Sequence, residues 1–284
     1  MKLVLLTTVA FNLVSPTSAF MVVTPPPSAL VKTHLLASTV VNEMQVGSKK
    51  VICYDGDYSD AVVELVVETA KSAIESKGSF SMAIPGGSVV TALKGLDAEA
   101  FDMSKVHIFF CNERIGANKC YQGALDAFVT KCSIPIEQVY KVPELEPEEA
   151  AAAYENMIKE CVAVDASGSI PSVDLILLGT GDDGHCGSLY PESNEIKATG
   201  SGKSVLGIDE GDKKSIAVSM DFMNAAKKVL VSAAEPKRAT MVQRALSGDY
   251  EEWGCPAGLV DCAGETIWFV DTDSIAEYSA TIAA

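Results

Sequence analysis

The segment Leu175-Ile176-Leu177-Leu178, entered through Asp174, constrains the fold more than any other stretch of the chain. An apolar strand without alternation is covered on both faces, as in a parallel sheet. Such a strand has no polar position along its length, so any chemistry must sit beyond its end. The chain continues there as Gly179-Thr180-Gly181-Asp182-Asp183-Gly184-His185-Cys186-Gly187-Ser188-Leu189-Tyr190-Pro191. Glycine at this density permits tight turns and close backbone approach.

From Val51 onward, short apolar runs alternate with longer helical patterns. Strands are predicted at Phe80 to Ile84, Val106 to Phe110, Asp174 to Leu178, Ser215 to Met220, Val229 to Ala233 and Thr266 to Val270. The spacing of Val62, Leu65, Val66, Ala70, Ala73 and Ile74 predicts a helix from Asp57 to Lys77, ended by Gly78. Further helices are predicted from Val89 to Leu96, Tyr121 to Lys131, Glu148 to Val162 behind Pro147, and Pro236 to Leu246. Residues 111–119 read as a polar loop. The order predicts an α/β fold: a doubly wound, mostly parallel sheet with helices on both faces. Ligands of such sheets bind at the carboxyl ends of strands.

Three strand ends carry unusual residues. In Pro85-Gly86-Gly87-Ser88 two glycines let the backbone approach a ligand, and Ser88 reads as a helix N-cap that favours an anion. A plain strand-to-helix turn would use the same residues. In Asn112-Glu113-Arg114 a strand runs directly into an amide, a carboxylate and a guanidinium, which also suits a solvated loop. The third end, from Gly179, contains GxGxxG. A dinucleotide site is rejected, because Asp182 and Asp183 would repel a pyrophosphate and the motif comes late in the chain. A metal site is rejected for lack of further ligands at a recognisable spacing. There remains a carboxylate, Asp183, two residues from His185. A nearby carboxylate orients an imidazole and favours its charged form, which suits general acid/base work.

Composition bounds the partners. The 284 residues carry 22 Lys+Arg against 38 Asp+Glu, a formal net charge of −16. A duplex binder needs a basic face, so nucleic acid is excluded as a partner. A small anion is not, since a few local cations and N–H groups can hold one. The charge is unevenly placed: Lys2 and Lys32 alone precede Glu43. Residues 1–19 have the charged, apolar and small-residue zones of a signal peptide, and residues 20–45 read as a transit-like segment. Residues 46–284 are expected to form the catalytic domain. The junction Ser18-Ala19-Phe20 resembles that of bipartite presequences in algae with secondary plastids, which implies a plastid address. Secretion and a cytosolic chain are the alternatives. No second apolar run is long enough to span a bilayer, so no membrane is expected for the mature form. The eight cysteines show no CxxC pair and several lie in apolar stretches. They are expected to be buried free thiols, which favours a reducing compartment.

The three blocks, in this order, resemble the 6-phosphogluconolactonase family, which shares a structural group with glucosamine-6-phosphate deaminase/isomerase. The family shows Gly-Gly-Ser after a strand, here Gly86-Gly87-Ser88. It shows Asp-Glu-Arg after a phenylalanine-rich strand, here Asn112-Glu113-Arg114. Its most specific block is Gly-x-Gly-x-Asp-Gly-His-Thr-x-Ser-Leu-Phe-Pro, here Gly179 to Pro191 with Cys186 for Thr and Tyr190 for Phe. The likeness spans roughly residues 50–280.

The resemblance implies the NagB/RpiA/CoA transferase-like fold and hydrolysis of 6-phospho-D-glucono-1,5-lactone to 6-phosphogluconate in the oxidative pentose phosphate pathway. It implies no metal, no organic cofactor, a small sugar-phosphate lactone as the sole partner, and a monomer. His185 would activate water, Asp183 would orient it, and Arg114 would bind or polarise substrate oxygens. Gly86, Gly87 and Ser88 would line the sugar-phosphate site, with Asn112 and Glu113 beside them. Lys214 stands where the family carries Arg-x-Thr, and Lys237 or Arg238 where it carries Gly-x-x-Lys, at Glu235-Pro236-Lys237-Arg238. Two alternatives stand: a sugar-phosphate-binding paralogue with little catalysis, and a glucosamine-6-phosphate deaminase. Asn112 speaks against the latter, since the matching Asp is that branch's proton-transfer base and an amide cannot take a proton. The acidic body adds one demand: Arg114, Lys214, Lys237 and Arg238 must converge beside His185.

Overall fold

A computed structural model describes residues 39–163 and 168–283. The signal-peptide reading of 1–19, and the transit-like reading of 20–45 as far as residue 38, lie outside the described residues. The strands are β1 (Thr39–Val46), β2 (Lys49–Asp55), β3 (Phe80–Ile84), β4 (Val106–Phe110), β5 (Asn112–Arg114), β6 (Leu175–Gly179), β7 (Val205–Glu210), β8 (Lys213–Val218), β9 (Lys228–Ala233) and β10 (Glu265–Asp271). The helices are α1 (Ser59–Lys77), α2 (Ser88–Ala92), α3 (Lys119–Ala124), α4 (Pro147–Cys161), α5 (Asn194–Lys197), α6 (Met220–Ala225), α7 (Ala239–Ser247), α8 (Pro256–Leu259) and α9 (Ala276–Ile282).

The main sheet has the order β1-β2-β10-β9-β6-β3-β4, and only the β1–β2 pair is antiparallel. β6 sits inside it, between β9 and β3, with Leu175 to Leu178 fully buried. Its alternate side chains serve two cores. Ile176 and Leu178 pack on one face with Phe109, Val231 and Trp268. Leu175 and Leu177 pack on the other with Phe80, Phe110 and Leu230. Helix α1 supplies Val62, Leu65, Val66 and Ala70 to the second core, and α4 supplies Ala150, Tyr154 and Ile158 to the first. The doubly wound α/β expectation is met.

The chain leaves β3 toward β4 and leaves β6 toward β9, in opposite directions along the sheet. The crevice between the carboxyl ends of β3 and β6 is therefore the topological switch point, where ligands of such sheets bind. Gly86 to Ser88 leave β3 there, and the glycine-rich loop leaves β6 there.

Three features depart from the sequence-based expectation. β5, β8 and β7 form a separate antiparallel sheet, so Asn112–Arg114 is a strand where a loop was expected. Its three residues are polar and carry no periodic signal. Cys111 joins the sheets: its N–H donates to Ile84 O at 2.8 Å and its carbonyl accepts from Val218 N at 2.7 Å. The second departure is the β1–β2 hairpin. β1 is exposed along most of its length, so no apolar face announced it. The composition boundary at Glu43 falls inside this strand. The third is helical: the segment after α3 continues as a π-helical turn, Leu125–Val129, and the predicted Val89–Leu96 helix is α2 followed by a 3-10 turn. The eight cysteines are free, all but Cys161 buried, in line with the thiol reading.

The amino end of β6 is held by a charge. Asp174 is 2% exposed, and its Oδ2 accepts from Ser81 N at 2.8 Å and pairs with Lys77 Nζ at 2.8 Å. Oδ1 accepts from Lys227 Nζ at 2.9 Å. Burial pushes this carboxyl up, but the hydrogen bonds from Lys77, Lys227 and Ser81 outweigh it and hold it below its ordinary range. A lowered folded-state pKa gives stability that is full above the unfolded value and lost as pH falls through the folded one. Asp174→Asn is expected to lower the unfolding free energy at neutral pH by about 2 kcal/mol in urea titrations. The gap between the two proteins should close only below the ordinary carboxylate range. Equal stability at pH 7 would contradict this account.

Candidate active site

The loop after β6 folds back on itself. Gly181 N donates to His185 O at 2.9 Å, and Leu189 N donates to Cys186 O at 2.9 Å. This brings Asp183 under the histidine. Its Oδ1 accepts from His185 N at 3.0 Å and meets His185 Nδ1 at 2.7 Å. Burial pushes the Asp183 carboxyl up, but the backbone and ring hydrogen bonds from His185 prevail and hold it below its ordinary range. An ionised carboxylate can only accept, so Nδ1 carries the proton, and in the neutral imidazole Nε2 then has the free lone pair. The ring of Tyr190 lies against the imidazole at 4.5 Å between centroids. Gly181 is the close-approach position: a Cβ there would stand 2.2 Å from His185 Nδ1 and 2.5 Å from Asp183 Oδ1.

His185 lines a pocket of about 630 Å³ at the switch point, within the range of small-molecule sites. Gly86, Gly87, Ser88 and Asn112 line it too. Gly87 has φ +83° and ψ −151°, a region essentially reserved for glycine. Gly87 is the capping residue and Ser88 the first residue of α2, so the expected Ser88 N-cap is displaced by one position. The N–H groups that open α2 have no preceding helical carbonyl to bond.

Arg238 reaches the same pocket from the turn after β9. Its Nε donates to Thr180 O at 2.8 Å, and its Nη1 donates to Ala234 O at 2.7 Å and Glu235 Oε2 at 3.2 Å. A guanidinium has five N–H donors. Three are engaged, and among the described residues none accepts from Nη2. Those donors are available to an anion.

The demanded convergence of cations is not met. Arg114 and Lys214 line a different cleft, with Glu144, Glu146 and Asp212. β5 pairs antiparallel with β8, with Arg114 opposite Ser215. Arg114 thus lies two residues beyond Asn112 along a strand that leads away from His185, and Lys214 is bound by Glu146. Lys237 is not among the pocket-lining residues; its Nζ pairs with Glu235 Oε2 at 2.7 Å. Glu113 is also corrected. It is 1% exposed, and its carboxylate accepts from Arg114 N at 3.0 Å, Lys119 N at 2.9 Å and Tyr121 N at 2.9 Å. It holds the β5–α3 connection and is not among the pocket-lining residues.

Several lining residues escaped the sequence reading. Asp57, Tyr58 and Ser59 come from the start of α1, Ser232 from β9, Glu235 from the turn after it and Asp271 from the end of β10. Tyr58 Oη and Ser232 Oγ are hydrogen-bonded at 2.9 Å. The signal available was positional: β9 and β10 were both predicted, and both end here. Glu235 has φ +80° and ψ 144°, a conformation that costs a non-glycine residue roughly 1–3 kcal/mol. Its N–H is bound by Asp271 Oδ2 at 2.8 Å. Among the described residues, no group of three or more His, Cys, Asp or Glu could hold a metal ion, and no helix is long and apolar enough to cross a membrane.

The arrangement is an imidazole oriented by a carboxylate, beside glycine-rich backbone and a guanidinium with free donors. The family model of glucosamine-6-phosphate isomerases/6-phosphogluconolactonase matches residues 55–268. A 6-phosphogluconolactonase of Nostoc sp. is 27% identical over 226 residues, covering 76% of this chain and 92% of that one. The chloroplastic 6-phosphogluconolactonase 3 of Arabidopsis thaliana is 30% identical over 265 residues, covering 84% and 78%. The crystal structure of 6-phosphogluconolactonase from Thermotoga maritima matches with a TM-score of 0.67 at 21% identity, over 79% of this chain and all of that one. A monomeric glucosamine-6-phosphate deaminase shares the fold with a TM-score of 0.60 at 16% identity. From β2 to β10 the sequence follows one pattern, and the chain belongs to the glucosamine-6-phosphate isomerase/6-phosphogluconolactonase family.

Proposed function

We propose that the chain is a 6-phosphogluconolactonase, a carboxylic ester hydrolase that opens 6-phospho-D-glucono-1,5-lactone, with His185 as its general base. The observation that carries this reading is the Asp183–His185 pair inside a pocket that also holds Gly86 to Ser88 and Arg238. His185 Nε2 takes a proton from water as the water oxygen attacks the lactone carbonyl carbon. The bond from that carbon to the ring oxygen then breaks, and the imidazolium returns the proton to that oxygen. The product is the open-chain acid. Asp183 fixes the tautomer and steadies the imidazolium between the two transfers. Arg238 Nη2 and the N–H groups opening α2 are the donors offered to the substrate phosphate. Asn112 lines the pocket as an amide, so it supplies no carboxylate for the carbon-acid step of a deaminase. Ammonia release from glucosamine 6-phosphate would overturn that point.

His185→Ala is expected to lower kcat for the lactone by about 10²–10⁴-fold above spontaneous hydrolysis, with the circular dichroism spectrum unchanged. Wild-type protein that adds nothing to the spontaneous rate would sink the assignment. Gly181→Ala tests the geometry rather than the base. Its methyl must displace the His185 ring or the Asp183 carboxylate, so kcat should fall at least about tenfold while KM changes little. Unaltered kcat would show that the pair is not the working arrangement.

The plastid address belongs to the same reading and is supported by the chloroplastic relatives. β1 starts at Thr39, so a processed protein that keeps this strand must be cut before it. Residues 1–38 fused to a fluorescent protein should enter the plastid, and export from the cell would refute the address.

A further inference from the structure

Glu235 stands out among the pocket residues because it places a negative charge where an anion is to bind. Glu235 lines the pocket, and its Oε2 takes both Lys237 Nζ at 2.7 Å and Arg238 Nη1 at 3.2 Å. The backbone beneath it is held at φ +80° by the bond from its N–H to Asp271. A side chain kept in that conformation, at the lip of a ligand pocket, marks a position where the surroundings override local preference. The two cations depend on it unequally. Arg238 has two further anchors, the carbonyls of Thr180 and Ala234, and is 19% exposed. Lys237 is ion-paired with Glu235 and is 59% exposed.

We infer that Glu235 is an internal counter-ion that sets the affinity for the phosphate monoester of the substrate. Its single negative charge offsets one of the two positive charges of Lys237 and Arg238. When a phosphate dianion arrives, the carboxylate yields both cations to it. Lys237 then turns to the phosphate, while Arg238 stays in place on its two carbonyls. The substrate must displace a like charge, so affinity is lower than the two cations would otherwise give. This rests on the lactonase reading only for the identity of the natural ligand. The exchange itself concerns any phosphate monoester.

The test is calorimetric titration of wild type and Glu235→Gln with inorganic phosphate, 6-phosphogluconate and gluconate, beside lactone kinetics. The amide keeps the size of the side chain and the backbone constraint, and removes the charge. Glu235→Gln should tighten binding of phosphate and of 6-phosphogluconate about three- to fivefold, the scale of one half-exposed ion pair. Gluconate, which has no phosphate, should bind unchanged, and KM for the lactone should fall. Unchanged or weaker phosphate binding would overturn the inference, as would an equal gain for gluconate. Glu235→Gly separates charge from strain: if it tightens phosphate binding and Glu235→Gln does not, the backbone is responsible and the counter-ion role is wrong. The two readings fail separately. Tighter phosphate binding without lactone turnover removes only the lactonase assignment, and turnover with unchanged phosphate binding removes only the counter-ion.

Discussion

Burial of β6 on both faces is the constraint on which the rest of the structure depends. Leu175 to Leu178 divide their side chains between two cores, so both faces of the sheet must be covered. α1 covers one and α4 the other, with α4 also packing on the β7–β8 hairpin. Polar groups are pushed to the strand's two ends, where they are handled differently. At the amino end Asp174 is locked between Ser81, Lys77 and Lys227, which joins β3, α1 and the turn before β9. At the carboxyl end the chain turns through glycine and leaves His185 facing a pocket. One end is closed by charge and the other is open for chemistry.

The acidic character of the chain shapes how its cations are used. Lys214 is taken by Glu146, so its charge is spent within the protein, and Lys237 is paired with Glu235. Arg238 differs because two of its anchors are neutral carbonyls, which orient the guanidinium without cancelling it. Its planar fork suits a phosphate better than a point charge would. A net charge of −16 is therefore compatible with an anionic ligand, provided that one cation is positioned by dipoles.

The third sequence block was legible because its logic is local. Asp183 and His185 are two residues apart, and a turn tight enough to join them needs the glycines around them. The same holds for Gly86 to Ser88, whose conformation is set within the turn. Arg114 and Lys214 were set at the site by the family resemblance, and in space they line another cleft. A three-residue polar strand, β5, carries Arg114 away from Asn112's pocket, and nothing in its sequence announces a strand. Glu113 read as a site residue because the family resemblance set it beside Asn112. Its three backbone donors come from residues up to eight positions later, across a turn no pattern fixes.

The sequence by itself determined the sheet class, the two turns at the switch point and the Asp183–His185 pair. Each arises from hydrophobic periodicity or from contacts within a few residues. Tertiary structure decided which cation reaches the pocket, that β1 edges the sheet, and that Tyr58, Ser232, Glu235 and Asp271 share one wall. Those residues are separated by most of the chain, and they meet only because β2, β9 and β10 are neighbours in a sheet whose order differs from the order of the sequence.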